Sequence, residues 1–273
     1  MLLFYSRKLA VHNFCVYENG TRNVYCYYWD ETNGKRGANE IATLLNKYIC
    51  TVDERGTVKN LLLYCDCCPG QNRNKTIMAM LHTTLQSCSN IQTIQINFLL
   101  TGHTYMPVDS VHAVIERNLK NAIIYAPSQW YTVFTTARQE AEPYNVEFIQ
   151  FKDFNRWDSV SDKYYKGNLT GKISKMRIVT FQKKKKDVIF VKNSMNDDVE
   201  PISIEVQSKT KLSPPACYKS QLPISKAKHD DLLKLCRTNV IPPIFHHEYN
   251  SLTGSNNIKD TLPETDVEDV DAE

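Results

Sequence analysis

LLLYCDCCPGQNRNK, residues 61–75, sets the fold class of this chain. Leu61, Leu62, Leu63 and Tyr64 run into Cys65 and a single carboxylate, Asp66. Cys67, Cys68 and Pro69-Gly70 follow, then Gln71, Asn72, Arg73, Asn74 and Lys75. An unbroken apolar run over 58–66 is the pattern of a central strand covered on both faces, and Pro-Gly ends it. Ligands of open α/β sheets collect at the carboxyl ends of strands, so Asp66 stands at a ligand position. The competing assignment is local: an aspartate just ahead of Pro-Gly commonly caps its own turn. Cys65, Cys67 and Cys68 do not compose a zinc set, since C-x-C-C has poor ligand geometry and no second CxxC or histidine pair lies nearby.

Outward from this stretch the pattern alternates. Residues 9–18 and 23–31 predict two strands joined at Asn19-Gly20. Residues 38–50 place Ile41, Leu44, Leu45 and Tyr48 at helical spacing. Helices are expected over 74–88 and 108–122, and strands over 91–103 and 145–151. The order predicts an α/β protein with one mixed sheet of about five strands flanked by helices, over residues 1–155. Residues 156–250 predict an extension with a hairpin over 175–193, whose turn is the basic run Lys183–Lys186, a strand over 201–207, and a helix after Ser225 as N-cap. That run has a second reading as a nuclear import signal. Residues 251–273, polar and then acidic, are expected to be disordered.

Charge is unevenly spread. Residues 259–273 hold one lysine and seven acids, which leaves 32 basic and 23 acidic residues, a net +9, on residues 1–258. A mildly basic body with an acidic tail is compatible with a polyanionic partner. The nine cysteines, an odd number with several in apolar runs, are read as reduced thiols, which predicts a nuclear or cytoplasmic location. No apolar run approaches the ~18 residues that a membrane span needs, so no membrane association is expected.

A second cluster of acids lies on the helix expected after the 91–103 strand. At 100° per residue Asp109, His112 and Glu116 share a face, opposite Val111, Val114 and Ile115. His103 ends the preceding strand. Asp66 with Asp109 and Glu116 would make a Mg²⁺ or Mn²⁺ site of oxygen ligands. Each residue has a plainer role: Asp109 as a helix N-cap, His112 as a structural side chain, Glu116 beside Arg117 as a solvated pair.

The stretches GANEIATLLNKYI, LLLYCDCCPGQNRNKTIMAML and NFLLTGHTYMPVDSVHAVIER, with the later LPISKAKHDDLLKLC and IPP, resemble a family of transposon-derived proteins with a ribonuclease H-like, DDE-type core. The resemblance implies that Asp66 occupies the fourth-strand carboxylate position and Asp109 or Glu116 the last-helix position, with His112 beside them. It implies two Mg²⁺ or Mn²⁺ ions for phosphoryl transfer on DNA. Gln71, Asn72, Arg73, Asn74 and Lys75 would border the cleft as the nucleic-acid-binding set, where the amides of Gln71, Asn72 and Asn74 bind phosphates or hold the turn. The family's pattern also calls for a first strand carrying an aspartate, whereas no aspartate precedes Asp30. The expectation is therefore a truncated, cleavage-impaired nuclease or transposase relative that binds DNA. The alternative is a non-catalytic nucleic-acid-binding or protein-interaction domain on the same scaffold.

Overall fold

The hairpin expected near the N-terminus is present. β1 (Val11–Tyr17) and β2 (Val24–Asp30) pair antiparallel, from Val11 opposite Asp30 to Tyr17 opposite Val24. In the computed structural model, residues 7–100, 102, 105–120, 122–139, 142–166, 173–206 and 213–259 are described. They fall into two units, residues 1–34, 111–149 and 221–273 in the first, 35–110 and 150–220 in the second. The expected boundary near residue 155 therefore falls inside the second unit.

In the first unit β5 (Asn145–Phe148) joins the hairpin parallel to β2, giving the order β1-β2-β5. The helix α3 (Pro107–Leu119) buries Val111 and Ile115 with Val133 and Phe134 of α4 (Trp130–Thr136) against Val24, Cys26 and Tyr28. A satellite core forms around α6 (Lys226–Arg237), whose Leu232, Leu235 and Cys236 meet Ile241 and Tyr249, the latter on α7 (His246–Asn250). Ser225 caps α6 as expected, accepting the Lys228 N–H at 3.2 Å. β11 (Ile224–Ser225) pairs parallel with β12 (Gly254–Ser255). The expectation of disorder from residue 251 is thus corrected for 251–259, because that pairing and the packing of Leu252 on the satellite core order them. Residues 260–273 lie outside the described residues.

The second unit begins with α1 (Ala38–Glu54), one turn longer than the periodicity predicts. Then β3 (Asn60–Cys65), α2 (Lys75–Ser87) and β4 (Thr93–Phe98) form a parallel crossover unit. α5 (Trp157–Tyr164) packs on α2, and β6 (Tyr165–Lys166) pairs with β10 (Glu205–Val206). β7 (Ile178–Gln182) and β8 (Val188–Lys192) form the hairpin expected around the basic turn. With β9 (Glu200–Ser203) the sheet order is β3-β4-β7-β8-β9.

Three expectations are corrected by the sheet order. The chain is α/β with mixed sheets, but the strands of residues 1–155 do not form one sheet: β1, β2 and β5 form one, β3 and β4 another. The hairpin assigned to an extension takes the free side of β4. The run 60–65 is a terminal strand rather than a central one, and its side chains alternate, with Leu62 and Tyr64 each 53% exposed. Among the described residues no helix is long and apolar enough to cross a membrane.

Candidate functional site at the ends of β3 and β4

All the strand ends that matter belong to the second unit. In the parallel register Cys65 faces Phe98, the last pair of the ladder, and Leu99 N–H donates to the Cys65 carbonyl at 2.9 Å. Because β7 runs antiparallel to β4, its start comes to the same edge: Phe98 N–H donates to the Arg177 carbonyl at 2.8 Å. Arg177 N–H in turn donates to the carbonyl of Lys192, the last residue of β8, at 2.8 Å. Asp66, Arg177 and Lys192 therefore share one end of the sheet.

The loop after β3 folds on itself. The Cys68 carbonyl accepts the amides of Gln71, Asn72 and Arg73 at 3.3, 2.8 and 3.1 Å. Asp66 Oδ1 accepts the Cys68 N–H at 3.2 Å and Asn72 Nδ2 at 2.5 Å, the local turn-capping role. Asn74 is the N-cap of α2: its Oδ1 accepts the Ile77 N–H at 3.0 Å while Nδ2 donates to the Pro69 carbonyl at 2.9 Å. Lys75 Nζ lies 3.7 Å from Asp162. The cysteines serve the backbone. Cys67 Sγ donates to the Leu99 carbonyl at 2.7 Å and accepts from Arg177 Nη1 at 3.0 Å, tying three strand ends together. Burial and then the Asp66 charge push the Cys65 thiol far above its ordinary pKa, with Arg73 opposing. Burial and the Asp66 charge also raise the Cys68 thiol.

Arg73 is the exception to this self-sufficiency. Its Nε and Nη1 are buried and have no hydrogen-bond partner among the described residues. A guanidinium edge shut away from water without an acceptor costs roughly 1–3 kcal/mol, more for a charged group. Nε and a terminal nitrogen form the planar fork that matches two phosphate or carboxylate oxygens.

Three further expected residues, Asp109, His112 and Glu116, lie on α3. Asp109 is not the expected N-cap but the third residue of α3, which begins at Pro107: its Oδ2 accepts the Met106 N–H at 2.7 Å, and Asp109 N–H donates back to the Met106 carbonyl at 2.9 Å. His112 and Glu116 are exposed on the face opposite Val111 and Ile115, as the periodicity predicts, and they share the continuous helix α3 with Asp109. His103 lies outside the described residues. Among the described residues no group of three or more His, Cys, Asp or Glu side chains is arranged to hold a metal ion. One oxygen of Asp66 and one of Asp109 accept backbone N–H groups. Arg177 and Lys192 carried no signal in the sequence, since only the β4–β7 and β7–β8 pairings bring them to the sheet end that Asp66 follows.

Residues 5–197 match a domain of unknown function, DUF7869. The chain belongs to this family. No curated protein and no solved structure matches it. The DUF7869 segment contains the whole 66–75 loop together with Arg177 and Lys192, and it ends ahead of β9.

Proposed function

We propose that this DUF7869 protein is a nucleic-acid-binding domain of transposase ancestry that grips phosphates at the 66–75 loop and does not cut them. Arg73, half-buried as a residue, carries this reading through Nε and Nη1, which are buried and unpartnered in the unbound chain and would meet a phosphate only once the side chain swings outward. A backbone phosphate, with two unesterified oxygens sharing one negative charge, suits such a fork, and Lys192 and Arg177 at the same sheet end add positive charge. The net +9 of residues 1–258 favours polyanion contact without base readout. Asp66 supports the impaired-nuclease side of the proposal: it sits at a strand end where a metal ligand belongs, yet one oxygen closes its own turn.

The test is binding of a short DNA duplex and of its single strand across a salt series. Arg73→Gln is expected to weaken binding about tenfold and to lower the salt slope by about one. Equal affinities for the variant and the parent at every salt concentration would sink the loop as the contact. In Mg²⁺ or Mn²⁺ the full chain is expected to leave DNA intact. Cleavage abolished by Asp66→Ala would instead establish a nuclease. One observation favours a second reading, a protein-interaction domain: the exposed Leu62 and Tyr64 on the terminal strand β3. Under that reading DNA binding is absent even at low salt.

A further inference from the structure

Strand register places two thiols together in the first unit. Cys15 of β1 lies directly opposite Cys26 of β2, and their Sγ atoms are 3.5 Å apart. The ladder's phase follows from its two ends: Glu18 N–H donates to the Asn23 carbonyl, and Glu31 N–H donates to the Ala10 carbonyl. Hydrogen-bonded and non-hydrogen-bonded pairs alternate along an antiparallel ladder, so Cys15 and Cys26 form a non-hydrogen-bonded pair, with Cα atoms about 4.5 Å apart. That spacing lies at the near end of the ~4.4–6.8 Å range in which a disulfide closes. β1 is a terminal strand and half-buried throughout, so Cys15 is reachable, while Cys26 is fully buried.

We propose that Cys15 and Cys26 are a disulfide-forming pair, oxidised by exchange with a low-molecular-weight disulfide such as oxidised glutathione. The Cys15 thiol gives its proton to solvent, and its sulfur attacks the reagent. The reagent's S–S bond breaks, a Cys15 mixed disulfide forms, and one reagent thiolate leaves and is protonated. The Cys26 sulfur, already in contact, loses its proton and attacks Cys15 Sγ. The mixed disulfide breaks and the second reagent thiol departs. Two protein thiols and one reagent disulfide become one protein disulfide and two reagent thiols. The cross-link joins the edge strand covalently to its neighbour. The neighbouring Cys26 thiol and burial hold the Cys15 thiol well above its ordinary pKa, against the Asn13 amide that donates to it at 2.9 Å, so the exchange is slow at neutral pH.

The test equilibrates the native full chain with excess oxidised glutathione, then blocks, denatures and digests it with trypsin. Cleavage after Lys8, Arg22 and Lys35 leaves Cys15 and Cys26 on separate peptides, Leu9–Arg22 and Asn23–Lys35, each with one cysteine. The two are expected to be joined and lighter than their sum by two hydrogens, while exposed Cys50 carries a glutathione adduct. Among nine competing thiols, prior unfolding in urea is expected to cut the yield of this link about tenfold. In Cys15→Ser, buried Cys26 is expected to stay unmodified. Separate adducts on Cys15 and Cys26, an equal yield from the unfolded chain, or modification of Cys26 in Cys15→Ser would each overturn the proposal.

Discussion

Asp53, in the last turn of α1, accepts the backbone N–H of Ile91 at 2.8 Å, and with it those of Ser89 at 2.6 Å and Asn90 at 2.8 Å. One buried carboxylate thus fixes the approach to β4, the strand that joins the parallel and antiparallel halves of the five-stranded sheet. Replacing Asp53 by Ala leaves three amides without their acceptor and is expected to cost about 2–4 kcal/mol in urea unfolding. Burial acts to raise the Asp53 pKa, but the Ile91, Ser89 and Asn90 amides outweigh it and hold the carboxyl below the usual range. A carboxyl with a depressed folded pKa contributes its full stabilisation above the ordinary value near 4 and loses it as pH falls through the folded value. The variant's stability should therefore fall less steeply than the parent's at acid pH. A loss under about 0.5 kcal/mol would show that solvent replaces the carboxylate.

Asp66 separates turn cap from metal ligand. As a cap, it should cost about 0.5–2 kcal/mol when changed to Ala and almost nothing as Asn, which keeps an acceptor oxygen at Oδ1. Millimolar Mg²⁺ or Mn²⁺ is expected to leave the melting temperature of the parent unchanged. A metal-dependent rise that vanishes in Asp66→Asn would restore the metal-site reading.

His82 makes an acid-sensitive core. It is 1% exposed, packed among Tyr164, Tyr165 and Phe181, and its Nδ1 has no partner. Burial lowers its pKa to about 4, with Asp187 opposing weakly. The unfolded chain binds this proton below about pH 6.5, and the folded chain only near pH 4. Stability is therefore intact above pH 6.5 and declines between 6.5 and 4, by roughly 3 kcal/mol over the window. His82→Leu should flatten that decline, as measured by urea midpoints at either end of the window. An unchanged slope would assign the acid loss to other groups.

The acidic tail should compete with DNA. Removing residues 259–273 takes away seven acids and one lysine, and the truncated chain is expected to bind DNA more tightly at low salt, with the difference shrinking as salt rises. Identical binding isotherms for the two chains would exclude the tail from the basic surface.

Short-range physics was legible in the chain itself. The buried stripe of α1, the Val111 and Ile115 face of α3, the Ser225 cap, the N-terminal hairpin and the hairpin around Lys183–Lys186 each depend on residues a few positions apart. Asparagine at position 74 is likewise a cap that a residue-type reading could have found. What the sequence by itself did not determine was which strand lies beside which. The apolar run at 60–65 is compatible with a central or a terminal strand, because a backbone ladder is indifferent to side-chain identity and its partner is chosen by the whole packed sheet. Only the tertiary structure put β7 on the free side of β4, left β3 at the edge, and carried Arg177 and Lys192 to the sheet end that Asp66 follows.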